Sequence, residues 1–258
     1  MSQAPRLPPA FRLVVRDAVG STNDVARELA HTGAEDLTVV WAQRQTAGRG
    51  RLGRIWTSPP GNLYASFLLR PSVAPAAAPL LSFVAAVALA ETVAAVLPAG
   101  VPVTLRWPND LLVGGRKIAG ILLEAATTPA GALDFVVLGI GVNVASHPTA
   151  DVRVAATDLA TEGADTGVAA LLERLADRLG QWYGRWRVDG FAPVRAAWRA
   201  RAEGLGRAID VRVGDALISG SFTDLDEDGA MIVTTAGGLR QRVTAGDVAL
   251  AAPAGTLA

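Results

Sequence analysis

Apolar, β-branched runs broken by turn residues dominate the first half of the chain. Leu37 to Ala42 is a near-continuous apolar run of strand length and predicts a buried strand. Leu63 to Leu69, Val101 to Trp107, Ile118 to Ala125 and Asp134 to Val144 predict four more. Ser21-Thr22-Asn23-Asp24 supplies N-cap residues for a helix over Val25 to Ala30. Leu80 to Leu97 is Ala-rich and nearly long enough to span a bilayer. Glu91 lies inside it and prolines at 79 and 98 bracket it, so it predicts a helix packed on a sheet. Further helices are predicted over 166–187 and 191–203. Together these give an α+β fold, a mixed sheet with its helices on one face.

The pattern changes at Glu203-Gly204-Leu205-Gly206. Beyond it come Ala208 to Val213, Ala216 to Phe222, Met231 to Thr234 and Leu239 to Val243, short strand-like runs separated by Gly-Asp, Asp-Glu-Asp-Gly and Gly-Gly turns. Such a stretch predicts a small β-barrel, which divides the chain into residues 1–204 and 205–258.

Composition narrows the function classes. Half the residues are hydrophobic and the formal net charge is zero, so no bulk field favours nucleic acid or an anionic membrane. Absence of cysteine excludes disulfides and thiolate metal sites. His31 and His147 have no ligand spacing and are expected at the surface, so no resident metal site is assigned. Residues 1–9 lack the apolar core and small-residue cleavage site of a signal peptide, and a cytoplasmic location is expected.

One lysine, Lys117, stands against 23 arginines. An arginine fork replaces lysine on a solvated surface but not where a compact ammonium must meet a crowded charged centre, so Lys117 is a candidate for chemistry. Seven residues earlier, Arg106-Trp107-Pro108-Asn109-Asp110 ends a predicted strand. Across the Gly114-Gly115 turn, Asp110 and Lys117 can face one another in a hairpin.

Gly48-Arg49-Gly50-Arg51-Leu52-Gly53 matches the dinucleotide fingerprint in letters only. The residues that follow, Arg54-Ile55-Trp56-Thr57-Ser58-Pro59-Pro60-Gly61, break a helix, and no acidic residue stands at the expected distance. What remains is a glycine-rich loop whose Arg49, Arg51 and Arg54 form forks suited to carboxylate or phosphate.

Ser21-Thr22-Asn23, Gln45-Thr46-Ala47 running into Gly48–Gly53, Arg106–Asp110, Arg116–Glu124 and Gly139-Ile140-Gly141-Val142-Asn143 occur in one order along the chain. In that order they resemble the biotin protein ligase (biotin–[acetyl-CoA-carboxylase] ligase) family across nearly the whole sequence. The resemblance implies a catalytic domain related to class II aminoacyl-tRNA synthetases and a small SH3-like C-terminal barrel. It also implies two steps: biotin and MgATP give biotinyl-5′-adenylate and pyrophosphate, then a lysine of a biotin carboxyl carrier domain takes the biotinyl group.

The family pattern assigns Ser21, Thr22, Asn23 and Gln45 to the biotin ureido group. It assigns Gly48, Arg49, Gly50 and Arg51 to a loop that covers biotin and phosphate, and Arg54, Trp107, Asn109 and Asn143 to ATP or the adenylate. Lys117 is expected on the biotin carboxylate and phosphate oxygens, and Asp110 near the incoming amine. Lys117, Asp110 and Arg51 are thus the expected catalytic set, with Mg2+ entering on ATP. Where some members carry an aromatic that stacks on adenine, this chain reads Ala156-Thr157-Asp158-Leu159, and no stacking residue is assigned. About twenty residues precede Ser21, fewer than a helix-turn-helix domain needs, so a monofunctional ligase is expected, monomeric or homodimeric. A lipoate or octanoate protein ligase on the same fold and a biotin-sensing regulator are the alternatives.

Overall fold

The computed structural model describes residues 4–149 and 155–250. Seven strands make the larger sheet: β1 (Arg12–Val19), β2 (Thr38–Gln45), β3 (Leu63–Leu69), β4 (Val103–Arg106), β5 (Asp110–Val113), β6 (Arg116–Thr127) and β7 (Leu133–Val142). Their order is β1-β2-β3-β7-β6-β5-β4, with β1 and β2 parallel and every other pair antiparallel. The sheet is mixed, as predicted. β1 and β5 go beyond the prediction. β1 is an edge strand in which Arg12, Arg16 and Asp17 interrupt the apolar residues and no residue is fully buried; β5 is only four residues long and starts inside the turn motif.

Four helices accompany the strands: α1 (Thr22–His31), α2 (Leu81–Ala94), α3 (Val168–Asp189) and α4 (Ala192–Arg199). The expectation of helices on one face is wrong. Ala26 and Ala30 of α1 pack with Val40, Leu68 and Val137, whereas α2 and α3 pack on the face that carries Val39, Phe67, Leu69, Val136 and Leu138. Successive strand residues point to opposite faces, and all seven residues of β3 are buried. A strand apolar on both sides needs cover on both sides. The Pro75–Ala94 stretch is long and apolar enough to cross a membrane, but 67% of its most apolar window is buried inside the protein. Helix α2 has no polar face because it is enclosed by the sheet, α3 and α4.

Strands β8 (Ala208–Val213), β9 (Ala216–Leu225), β10 (Met231–Thr234), β11 (Arg240–Val243) and β12 (Asp247–Leu250) form a second, antiparallel sheet in the order β11-β10-β9-β8-β12. β12 extends the predicted set of strands. This sheet shares one apolar core with the rest of the molecule. Trp198 of α4 stacks edge-on with Phe83 of α2 and with Phe222 of β9, at 5.5 and 6.4 Å between ring centroids. Arg195 and Arg199 hold Asp224, and the Trp107 indole N–H donates to the Gly229 carbonyl at 3.0 Å. The link between the sheets is itself bonded: Leu105 N–H donates to Arg201 O and Glu203 N–H to Leu105 O, each at 2.8 Å, while Arg106 pairs with Glu203.

Candidate active site

A cleft of about 1200 Å³ opens between the larger sheet, the Gly48–Gly53 loop and β12. Its floor is made by three glycines. Gly120 of β6 lies opposite Gly141 of β7, and Gly139 lies two residues along the same strand, so all three present the same face. A Cβ on Gly141 would stand 2.5 Å from Trp56 Nε1, and one on Gly139 would stand 2.3 Å from Asn23 Oδ1. These positions are glycine because other groups occupy the space where a side chain would lie.

The start of α1 forms one end of the cleft. Ser21, Thr22 and Asn23 are buried although polar, and each must find partners. Gln45 Oε1 accepts from Thr22 N at 2.8 Å and from Thr22 Oγ1 at 3.1 Å, while Gln45 Nε2 donates to Ser58 Oγ at 3.0 Å. Asn23 Nδ2 donates to Glu124 Oε2 at 3.0 Å. Ser66 Oγ, at the bottom of this network, lies 2.6 Å from Asn23 Oδ1 and 2.8 Å from Thr22 Oγ1. Helix α1 starts at Thr22, three residues before the predicted Val25, so Thr22, Asn23 and Asp24 lie inside it and Ser21 alone precedes it, with no capping bond from its side chain. The result is a fixed set of hydroxyl and amide groups able to meet a ligand with both donors and acceptors.

The predicted hairpin contact is present. Lys117 Nζ lies 2.7 Å from Asp110 Oδ1, with both side chains about three-quarters or more buried, and 5.5 Å from the Trp56 ring centroid. Backbone bonds hold Lys117 on both sides: its N–H donates to Ala155 O at 2.7 Å, and its carbonyl accepts from Thr157 N at 2.9 Å. Asn109 bridges the turn to β6, donating Nδ2 to Ile121 O at 2.9 Å and accepting from Arg51 Nη1 at 3.1 Å.

Arg49 is held by Asp24 through two bonds of 2.6 and 2.8 Å and lies 3.4 Å from Glu124. The Arg49 hydrogen bond, followed against burial by the charges of Arg49 and Arg27, holds the Asp24 carboxyl below its usual range. Arg51 is pushed below the usual arginine value by burial, while the carboxylates of Asp247 and Asp110 pull it back up; it stays cationic. Arg54 pairs with Asp247 of β12.

Two assigned residues line the cleft and also hold neighbouring segments. Trp107 borders the cleft while its indole N–H donates to the Gly229 carbonyl of the second sheet. Asn143 lines the cleft, but its Nδ2 donates to Thr157 O at 3.0 Å and so fixes the segment beside Lys117. His147 is half-buried and bonded through Nδ1 to Asp158 Oδ2 at 2.5 Å, not the free surface residue expected. Asp158 also accepts from Thr161 N at 2.7 Å. Trp56, Ser66, Asp24, Gly246 and Asp247 escaped the sequence reading. Only the alternating Gly139-Ile140-Gly141 carried a signal that could have located the floor. Among the described residues no group of three His, Asp or Glu side chains stands close enough to hold a metal ion.

With this geometry in hand, comparison with known proteins gives a consistent result. Residues 15–143 match the biotin/lipoate A/B protein ligase family, and residues 204–250 match the biotin protein ligase C terminal domain. The chain is 41% identical over 233 residues to a biotin–[acetyl-CoA-carboxylase] ligase of Paracoccus denitrificans, covering 88% of this chain and 96% of that one. It is 31% identical over 236 residues to a bifunctional ligase/repressor of Bacillus subtilis, covering 89% and 71%. Among solved structures, a biotin protein ligase from Aquifex aeolicus in complex with biotin and ATP superposes with a TM-score of 0.78 at 26% identity, covering 93% of this chain and 99% of that one. A Leishmania major biotin protein ligase in complex with biotinyl-5-AMP gives 0.66 at 26% identity, covering 92% and 100%.

Proposed function

The chain belongs to the biotin protein ligase family, and from that premise we propose how its cleft carries out the two half-reactions. In the first, a carboxylate oxygen of biotin attacks the α-phosphorus of ATP and pyrophosphate leaves. In the second, a carrier lysine attacks the carbonyl of the mixed anhydride and AMP leaves with the bonding pair. The observation that carries this reading is Lys117, paired with Asp110 at 2.7 Å beside a three-glycine floor and a buried hydroxyl-amide network.

The glycines let Trp56 and Asn23 pack directly on the strands, and the folded, cis-fused bicycle of biotin lies against those two side chains. Thr22, Asn23 and Gln45, with Ser21 beside them, present donors and acceptors to a ureido group, and Ser66 keeps Thr22 and Asn23 in place. The Lys117 ammonium then stands where carboxylate meets phosphate and offsets the charge that develops at phosphorus. Arg51 and Arg54 face the phosphates, and Arg49, anchored on Asp24, shapes the loop. Mg2+ entering with ATP would neutralise part of the phosphate charge, and the Arg51 and Arg54 forks would meet the remainder.

Asp110 has a second task. An amine of pKa ~10.4 must lose a proton before it attacks, and a carboxylate beside the anhydride can accept or orient that proton. Once the adenylate exists, the site mainly positions the amine and keeps water away. Asn143 holds the Ala155–Leu159 segment against Lys117, closing the nucleotide side without an aromatic. Trp107 anchors the turn to the second sheet, a role in place of direct adenylate contact.

In this reading residues 1–204 form the catalytic unit and residues 205–258 an SH3-like module. The acceptor is a biotin carboxyl carrier domain, and the enzyme works in the cytoplasm, without nucleic acid or membrane, as a monomer or homodimer. The match of residues 204–250 to the biotin-ligase C terminal domain supports biotin over lipoate as the acyl substrate. The test is pyrophosphate exchange with biotin, lipoate or octanoate, followed by mass spectrometry of a carrier domain after incubation with enzyme, biotin and ATP. Exchange that depends on lipoate and not on biotin would overturn the assignment.

A further inference from the structure

The arginine loop is fastened to the second sheet at two adjacent residues. Arg51 Nη1 lies 3.5 Å from the Gly246 carbonyl while holding Asn109 Oδ1 at 3.1 Å. Three residues on, Arg54 pairs with the Asp247 carboxylate, at side-chain exposures of 43% and 30%. The backbone between them makes this possible. Leu52 adopts the left-handed conformation (φ 57°, ψ 34°) and Gly53 follows at φ 71°, a turn that non-glycine residues rarely adopt. It leaves Leu52 and Ile55 exposed while Arg51 and Arg54 both reach β12. The receiving strand is shaped to match. A Cβ on residue 246 would stand 2.9 Å from both Arg212 O and Val211 Cγ1, so glycine lets β12 pass close against β8 with its carbonyl toward the loop.

We propose that Gly246 and Asp247, at the start of β12, are the catch for the arginine loop, and that through them the second sheet sets how long the activated intermediate stays in the cleft. This rests on the adenylation reading above. Asp247 is a positioning residue: it acts on the intermediate through Arg54 and need not touch it. The link is electrostatic and partly exposed, so it is weak enough to open for an incoming carrier and it weakens with salt. A loop fastened by two arginines to a neighbouring sheet also explains why the second sheet borders the cleft at all.

Two measurements test the catch. The first needs no substrate: trypsin cuts after arginine, so limited proteolysis of the ligand-free protein reads loop opening at Arg51–Leu52 and Arg54–Ile55. Asp247→Asn should raise the cutting rate at these bonds about twofold to fivefold, the range expected for one partly exposed ion pair. Asp247→Arg should raise it at least as much, and Asp247→Glu should restore the wild-type rate. The Arg187–Val188 bond, at the exposed end of α3, serves as the reference. Unchanged rates at the loop in Asp247→Asn and Asp247→Arg, or an equal rise at Arg187–Val188, would overturn the proposal. The second measurement is release of preformed radiolabelled biotinyl-adenylate during a chase without carrier. It should quicken by the same factor in Asp247→Asn, with wild-type release rising toward the variant's as salt increases. Identical release in the two proteins would overturn the role in retention. If the wild type formed no adenylate at all, the functional reading would fail, while the proteolysis would still decide whether the catch exists.

Discussion

Replacing Lys117 with arginine keeps the positive charge and changes only its shape, which makes it the sharpest test of why this chain retains a single lysine. The ammonium sits 2.7 Å from Asp110, and the position a Cβ on Gly120 would take is 3.6 Å from Nζ. The Trp56 ring flanks it, with its centroid at 5.5 Å. A planar guanidinium has no room in that corner unless Trp56 moves or the contact with Asp110 is given up. The backbone of residue 117 is bonded on both sides and is unaffected. Since both charges remain, stability should fall by no more than about 1 kcal/mol, a shift of about 2–4 °C in Tm for a chain of this size. Misplacing the cation that pairs with Asp110 beside the reacting phosphate should cost about 10²–10³ in the rate of adenylation, or about 2.7–4 kcal/mol. Biotin-dependent pyrophosphate exchange, with calorimetry on the same samples, measures both. Near-wild-type exchange by a folded Lys117→Arg protein would refute the claim that an ammonium is required.

Asp110→Asn should separate the half-reactions: in single-turnover experiments transfer to the carrier should slow more than adenylate formation, and equal losses would mark Asp110 as a ligand-site residue only. Gly139→Ala places a methyl 2.3 Å from Asn23 Oδ1, which Ser66 and Glu124 hold in place; the fold should lose about 1–3 kcal/mol and the KM for biotin should rise at least ~10-fold, whereas an unchanged KM would remove Asn23 from the biotin site. Arg51→Gly removes the fork that bridges Asn109 and β12, so adenylate should escape and label a lysine-rich bystander protein; labelling no greater than with wild type, with adenylation intact, would contradict this. Burial pushes the Tyr64 phenol up to about 12 from an unfolded value near ~10. Its neutral form therefore contributes about 3 kcal/mol below pH ~10, lost as pH rises toward ~12; Tyr64 titrating near pH 10 at 295 nm, with circular dichroism unchanged, would show that the phenol is not buried.

The local patterns of this sequence determined its elements and most of its chemistry. Short runs of strand length bounded by turn residues predict strands, and Leu63–Leu69 and Ala208–Val213 appear within the predicted bounds. The turn of Gly114 and Gly115 put Asp110 and Lys117 within reach, because a hairpin is a local structure whose ends are set by its own few residues. Two strands were not legible: charges at 12, 16 and 17 interrupt the apolar residues of β1, and β12 offers only Val248, Ala249 and Leu250 behind Asp247. Which faces the helices cover was not legible either, since a run apolar on both sides states only that it is enclosed, not by what. The rest of the site was decided by long-range contacts. Ser66 reaches Asn23 across 43 positions, and Arg54 reaches Asp247 across 193. No local pattern encodes such a pair, because each partner reads alone as an ordinary polar residue. Only the packing of two sheets into one core brings the arginine loop, the glycine floor and β12 to the same cleft.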